Sequence, residues 1–153
     1  MLSSFVSPFR KLVHALLASD SPSQLAAGFT LGMLIGLVPK GNLIAVSLCV
    51  LLFSLRINKG LAVAAAVLFS FLSPLADAFS HKLGLVVLTA SPLQGTYASV
   101  FSLPLMPWFD FDNTVVAGSL LVGLYVAYPV YWAVRTASAL LQSTANSPAG
   151  AAS

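Results

Sequence analysis

Charged residues are too sparse in this chain to cover the surface of a globular protein. Seven Lys and Arg and four Asp make up 7% of the 153 residues, whereas 58% are hydrophobic and the mean hydropathy is +0.94. Soluble domains carry about 25% charged residues. An apolar surface of this extent has to be solvated by lipid, so the sequence predicts an all-α, polytopic integral membrane protein.

The basic residues separate apolar runs and do not cluster, as the positions Arg10, Lys11, Lys40, Arg56, Lys59, Lys82 and Arg135 show. Binding of nucleic acid requires a basic stripe or patch, so no nucleic-acid partner is expected. The single cysteine, Cys49, lies within an apolar run and is interpreted as packing filler.

The chain divides into three parts by composition. Over residues 1–19, apolar residues at helical spacing run beside Arg10, Lys11 and His14, which predicts an interfacial amphipathic helix. Residues 20–135 are predicted to form a single membrane domain of about four segments. Residues 136–153 turn to Ser, Ala, Asn and Gly, and we expect a mostly disordered tail there.

The first two apolar runs are short. Ser21, Pro22 and Gln24 signal the start of a helix that we expect to end at Val38. Its apolar part is about 21 Å long, and the next run, Leu43–Leu55, is no longer. A bilayer core is about 30 Å thick, so residues 22–55 form either a thin spanning hairpin or a hairpin that re-enters the membrane. The sequence leaves both open.

The rest of the predicted membrane domain is less regular. A third run, Leu61–Ser73, is expected to end at Pro74, and residues 83–90 are too short to span. Residues 91–113 contain several Pro and Gly residues and are predicted to be a loop. Thr114–Val134 has full spanning length.

Charge predicts the topology of these segments. If the hairpin returns to its own side, five basic residues share one face, namely Arg10, Lys11, Arg56, Lys59 and Arg135. Lys40 and Lys82 then lie on the other face with Asp110 and Asp112. By the positive-inside rule both termini are expected in the cytoplasm.

Small residues recur every fourth position in three of the predicted helices. The three sets are Gly28, Gly32 and Gly36; Ala62, Ala66 and Ser70; and Ser119, Gly123 and Ala127. A helical glycine costs about 1 kcal/mol relative to alanine, and close backbone contact between membrane helices compensates that cost. The spacing therefore predicts a tight internal bundle, with a homodimer interface as the alternative.

The most suggestive polar site is the break between the first two runs, formed by Pro39, Lys40, Gly41 and Asn42. Lys40, together with the amides at the start of the following helix, is suited to attract a phosphate or carboxylate. The alternative is an ordinary turn whose lysine reaches toward the membrane surface.

No catalytic machinery is predicted. Asp77 and His81 lie four residues apart, a spacing that suits proton transfer, but an interfacial contact is the commoner reason for such a pair. No metal-ligand spacing, phosphate-binding glycine loop or nucleophile motif occurs, so we expect neither an enzyme nor a cofactor.

Four stretches of the sequence form a recognisable pattern, namely "SPSQLAAGFTLGMLIGLVPKGN", "LLFSLRIN", "SPLADAFSHKLG" and "FDNTVVAGSLLVGLYV". Together they resemble a bacterial membrane family catalogued as domain of unknown function 2062. The resemblance implies a protein of the bacterial cytoplasmic (inner) membrane without an established activity. Some relatives are fused to sugar-transfer enzymes, which implies work on lipid-linked glycans.

Two functional hypotheses follow. In the first, the protein binds or moves a lipid-linked or anionic molecule at the broken hairpin. In the second, it is a non-catalytic assembly or packing subunit whose glycine ridges meet a membrane-protein partner.

Overall fold

The computed structural model describes residues 20–145, and all regular secondary structure in that part of the chain is helical. Its elements in order are α1 Pro22–Leu37, α2 Leu43–Ser54, α3 Lys59–Leu88, a 3₁₀ turn Ser91–Leu93, α4 Gln94–Phe101, α5 Met106–Phe109 and α6 Thr114–Ala145. The all-α prediction is confirmed. The predicted helix over residues 1–19 and the part of the predicted tail at residues 146–153 lie outside the described residues.

The first turn of α1 has the predicted capping arrangement. The Ser21 hydroxyl accepts from the Gln24 backbone N–H (3.4 Å), and the Gln24 side chain accepts from the Ser21 backbone N–H (3.0 Å). These reciprocal bonds satisfy two backbone N–H groups that have no partner within the helix. Pro22 follows in the first turn, where its missing N–H is not needed. The helix ends at Leu37, one residue before the predicted end.

The core of the bundle is the shortest of its three main helices. Both α3 and α6 pack along α1 and against each other, while α2 lies at the outside. Leu25, Ala26 and Met33 on α1 are almost completely buried. The buried residues of α1 are mostly apolar or small, because both long helices pack along it.

The third apolar run does not end at Pro74, contrary to prediction. α3 continues through Pro74 to Leu88 and includes most of residues 83–90. Proline lacks the N–H that would bond the carbonyl four residues earlier, at Ser70. The Ser73 hydroxyl donates to that carbonyl instead (3.3 Å), so the helix continues without leaving the group unpaired.

Residues 91–113 are also more ordered than the predicted loop. They contain the 3₁₀ turn and the short helices α4 and α5, with Pro92 and Pro107 in first turns. Proline is tolerated there because the first N–H groups of a helix have no helical partner. Asp110 ends α5 in the left-handed region at φ 59°.

The last helix extends ten residues further than Arg135, through the first part of the predicted tail. Ser138 donates to the Val134 carbonyl (2.7 Å), and the Gln142 side chain donates to the backbone carbonyl of Asp20 (2.9 Å). The alanines and leucines of this stretch are good helix formers, and the contact with Asp20 holds it against the bundle.

Within residues 20–145, two helices are long and apolar enough to cross a membrane by length and composition, at Lys59–Leu88 and Thr114–Thr144. The 30 residues of α3 span about 45 Å, against about 30 Å for a bilayer core. α1 and α2 are apolar but shorter.

Candidate functional site: the helix break and the groove along α2

The four residues of the helix break are held by hydrogen bonds to their own neighbours. Lys40 Nζ donates to the Gly36 carbonyl (2.7 Å) and Asn42 Nδ2 donates to the Pro39 carbonyl (2.9 Å). Asn42 Oδ1 also accepts from the Ala45 backbone N–H (2.9 Å), which caps α2. Gly41 has φ +103°, a conformation that strains any residue with a Cβ. The break is therefore a defined turn.

The Lys40 ammonium lies at the C-terminal end of α1, where helix carbonyls lack partners. A cation is favoured at this end by the helix dipole. The bond to Gly36 uses one of the three donors of the ammonium. The side chain is exposed, so the other two donors are accessible to a ligand.

The break lies at the end of the bundle where α6 begins. Val38 is fully buried and packs with Ile44 and Val116, and Phe109 and Phe111 lie against this cluster. The two rings are stacked with centroids 5.7 Å apart. Lys40 is thus positioned by a rigid apolar support formed by α1, α2 and α6.

A shallow, open depression follows the outer face of α2 from this break, and we refer to it as the α2 groove. Its volume is about 600 Å³, and its lining consists of Lys40, Gly41, Ala45, Val46, Cys49, Val50, Phe53 and Ser54. Val46, Val50 and Phe53 are 54%, 60% and 66% exposed. The arrangement is an exposed apolar face of one helix with one cation at its end.

The first two sets of predicted packing residues lie against each other. A Cβ at Gly28 would lie 2.5 Å from the Asn58 carbonyl oxygen, and one at Gly32 would overlap the Ala62 carbonyl. A Cβ at Gly36 would lie 2.8 Å from the Ala66 oxygen. These contacts run in the same order along both helices, so α1 and α3 are parallel. Ser70, the remaining member, donates to the Ala66 carbonyl (2.6 Å).

The third set is only partly at an interface. Ser119 is buried and donates to the Val116 carbonyl (3.1 Å). Gly123 faces the Leu34 side chain, where a Cβ would lie 2.7 Å from Cδ2, and Ala127 is half-buried.

A close backbone contact between α3 and α6 lies outside the predicted sets of packing residues. A Cβ at Gly84 would overlap the Thr114 carbonyl, and one at Gly118 would overlap the Ser80 carbonyl. Ser80 and Gly84 have the same four-residue spacing as the predicted sets. The sequence does not predict these two residues as a packing set, because the preceding helix is expected to end at Pro74.

Asp77 and His81 are not brought together as a proton-transfer pair. In the described part of the chain, His81 Nδ1 is hydrogen-bonded to the Thr114 hydroxyl (2.6 Å), which ties α3 to the start of α6. Residues 20–145 also contain no group of three His, Cys, Asp or Glu side chains arranged to hold a metal ion.

Comparison with known proteins places these features in a family. The model of a family described as "Uncharacterized protein conserved in bacteria (DUF2062)" matches residues 7–146. The chain belongs to this family. A relative from Treponema pallidum (strain Nichols), named as an uncharacterized protein, is 32% identical over 137 residues, which cover 90% of this chain and 82% of that protein. No solved structure matches this chain.

Membership in the DUF2062 family confirms the resemblance found in the sequence. The match includes the helix break, the α2 groove and both long helices. The family description assigns no activity, so a function has to be argued from the geometry of the α2 groove.

Proposed function

We propose that this DUF2062 protein is an integral protein of the bacterial cytoplasmic membrane whose α2 groove binds a lipid with an anionic headgroup. The headgroup phosphate contacts the Lys40 ammonium, and an acyl or isoprenoid chain lies along Val46, Val50 and Phe53. The role is one of binding or moving a lipid, not of catalysis.

The membrane location is supported by the surface of the long helices. Phe71, Leu75 and Tyr125 are 80%, 81% and 85% exposed, and similar side chains continue along α2, α3 and α6. Soluble monomers rarely expose contiguous apolar surfaces of this extent. Exposing apolar side chains to water is unfavourable, and contact with lipid avoids this exposure. α3 and α6 also have the length to cross the bilayer.

The lipid proposal is carried by one observation, the cation at the end of an apolar groove. A lone phosphate would gain nothing from the groove, and a wholly apolar ligand would gain nothing from Lys40. The 12 residues of α2 span about 18 Å, which suits an extended chain.

The alternative role as an assembly subunit depended on glycine ridges that meet a partner. Gly28, Gly32 and Gly36 already contact α3 of the same chain. A partner that docks on this ridge would have to displace α3, so the lipid-binding role is the better supported proposal.

The test is native mass spectrometry of the protein in nanodiscs of phosphatidylcholine with phosphatidylglycerol. Val50→Trp fills the α2 groove without touching Lys40, and it should reduce the number of retained phosphatidylglycerol molecules. Val86→Trp is the matched control, because Val86 is 67% exposed on α3, away from the groove. Lys40→Ala should reduce retention and Lys40→Arg should restore it. Equal retention by wild type, Val50→Trp and Lys40→Ala would refute the proposal.

A further inference from the structure

A second cavity lies at the opposite end of α2 from Lys40. Its volume is about 540 Å³, and it is lined by residues 53–60 together with Asp20 and Gln24. We refer to it as the basic cavity, since Arg56 and Lys59 are both among its lining residues. The turn that carries them is anchored, because Gln24 Nε2 donates to the Arg56 carbonyl (3.3 Å).

The charges of the basic cavity are not balanced within the described residues. Its carboxylate, Asp20, accepts a hydrogen bond from Asn58 Nδ2 (2.8 Å). Across residues 20–145, neither Arg56 nor Lys59 forms an ion pair with a carboxylate. The Lys59 ammonium lies 6.0 Å from the centroid of the Phe53 ring. Two exposed cations therefore border a space that suits an anion.

The basic cavity and the α2 groove share part of their walls. Phe53 and Ser54 line both. A polar, cationic space therefore opens directly onto the α2 groove at these two residues. An amphiphile whose anionic headgroup carries an apolar chain fits both spaces at once, whereas a free anion fits only the first.

We propose that the basic cavity binds the phosphate-bearing headgroup of a phospholipid whose acyl chain enters the α2 groove past Phe53. This inference rests on the proposed function for the place of the acyl chain in the α2 groove. It adds a second headgroup position, at the other end of α2. Two lipid molecules then compete for one groove, each with its phosphate at its own end of α2.

The experiment uses the full chain in the same nanodiscs and compares the double variant Arg56→Ala/Lys59→Ala with wild type. A cation at a membrane surface strengthens binding of anionic lipid by about fivefold, so the affinity for phosphatidylglycerol should fall by about 25-fold in the double variant. The control is Lys82→Ala/Arg135→Ala, which removes the same charge outside both cavities and should retain the lipid. Melting temperatures of all variants exclude loss by unfolding.

The outcomes separate this inference from the proposed function. If Arg56→Ala/Lys59→Ala retains lipid like wild type while Lys40→Ala loses it, the basic cavity is not a headgroup site. If only the basic-cavity variant loses lipid, the inference stands and the position of the headgroup at Lys40 is refuted. If inorganic phosphate displaces the lipid and Val50→Trp has no effect, the cavity binds a free anion and the lipid inference is overturned.

Discussion

The side-chain amide of Gln142 donates a hydrogen bond to the backbone carbonyl of Asp20, 122 residues earlier in the chain (2.9 Å). Asp20 is the first described residue, and Gln142 lies in the last turn of α6. The described chain therefore begins and ends at the same end of the bundle. Arg56 and Lys59 lie at this end as well, beside Asp20.

Reporter fusions at Leu2 and at Ser153 should give the same result. The bond between Asp20 and Gln142 places the two ends of the described chain at one end of the bundle, and the positive-inside rule predicts the cytoplasm for that side. An alkaline phosphatase and green fluorescent protein pair of reporters measures this in cells. A reporter inserted after Asp112 serves as the control for the opposite side. Fusions at Leu2 and Ser153 that report different sides would contradict the arrangement.

Gly32→Ala should destabilise the protein by about 1–3 kcal/mol, because the new methyl group would overlap the Ala62 backbone. Thermal unfolding of the purified protein in detergent measures the loss. The matched control is Gly95→Ala on α4, where a Cβ would meet no atom within 4 Å. Alanine is the better helix former, so the control should be neutral or more stable by up to about 1 kcal/mol. Equal melting temperatures for the two variants would show that α1 and α3 are not in close contact.

Ser73→Ala should cost about 1 kcal/mol in the wild-type chain and less in a Pro74→Ala background. In the wild type the Ser73 hydroxyl bonds the Ser70 carbonyl that Pro74 leaves open. Alanine at position 74 supplies the missing N–H, so the hydroxyl becomes redundant. A double-mutant cycle on unfolding free energies measures the coupling. Additive effects would mean that the hydroxyl does not compensate for proline.

Thr30→Val should leave the stability unchanged or increase it by about 1 kcal/mol. Thr30 is buried in α1, and its hydroxyl has no hydrogen-bond partner within the described residues. Valine has nearly the same shape and removes the unpaired polar group. Ser80→Ala provides a comparison at another buried hydroxyl-bearing residue. A loss of more than about 1 kcal/mol in Thr30→Val would indicate a partner for the hydroxyl.

The ends of α1 and α2 were predictable because short-range chemistry sets them. Ser21 and Gln24 form the capping box, and Asn42 caps α2. The break at Pro39–Asn42 was found for the same reason. The bond from Lys40 to the Gly36 carbonyl was not predictable, because a cation near a helix end fits a ligand site and a helix cap equally well. The bond from Ala45 to Asn42 was not predicted either.

The other wrong predictions concern positions where contacts between residues determine the structure and a local sequence rule does not. Proline at position 74 was read as a helix end because the compensating hydroxyl of Ser73 carries no sequence signature of its own. The contact of Gly84 with Thr114 requires that α3 continue past Pro74, so a helix that ends at Pro74 does not predict this contact. The basic cavity joins Asp20 to Arg56 and Lys59, and only the packing of α1 on α3 brings these residues together.

The central position of α1 has a consequence for synthesis of the protein. Among the described helices α1 leaves the ribosome first, yet its neighbours α3 and α6 are made later, and α6 last. At roughly 5–20 residues per second, α1 waits several seconds for the helix that covers its second face. Until Thr114–Ala145 is made, the face of α1 that this helix covers in the finished fold has no partner among the described helices.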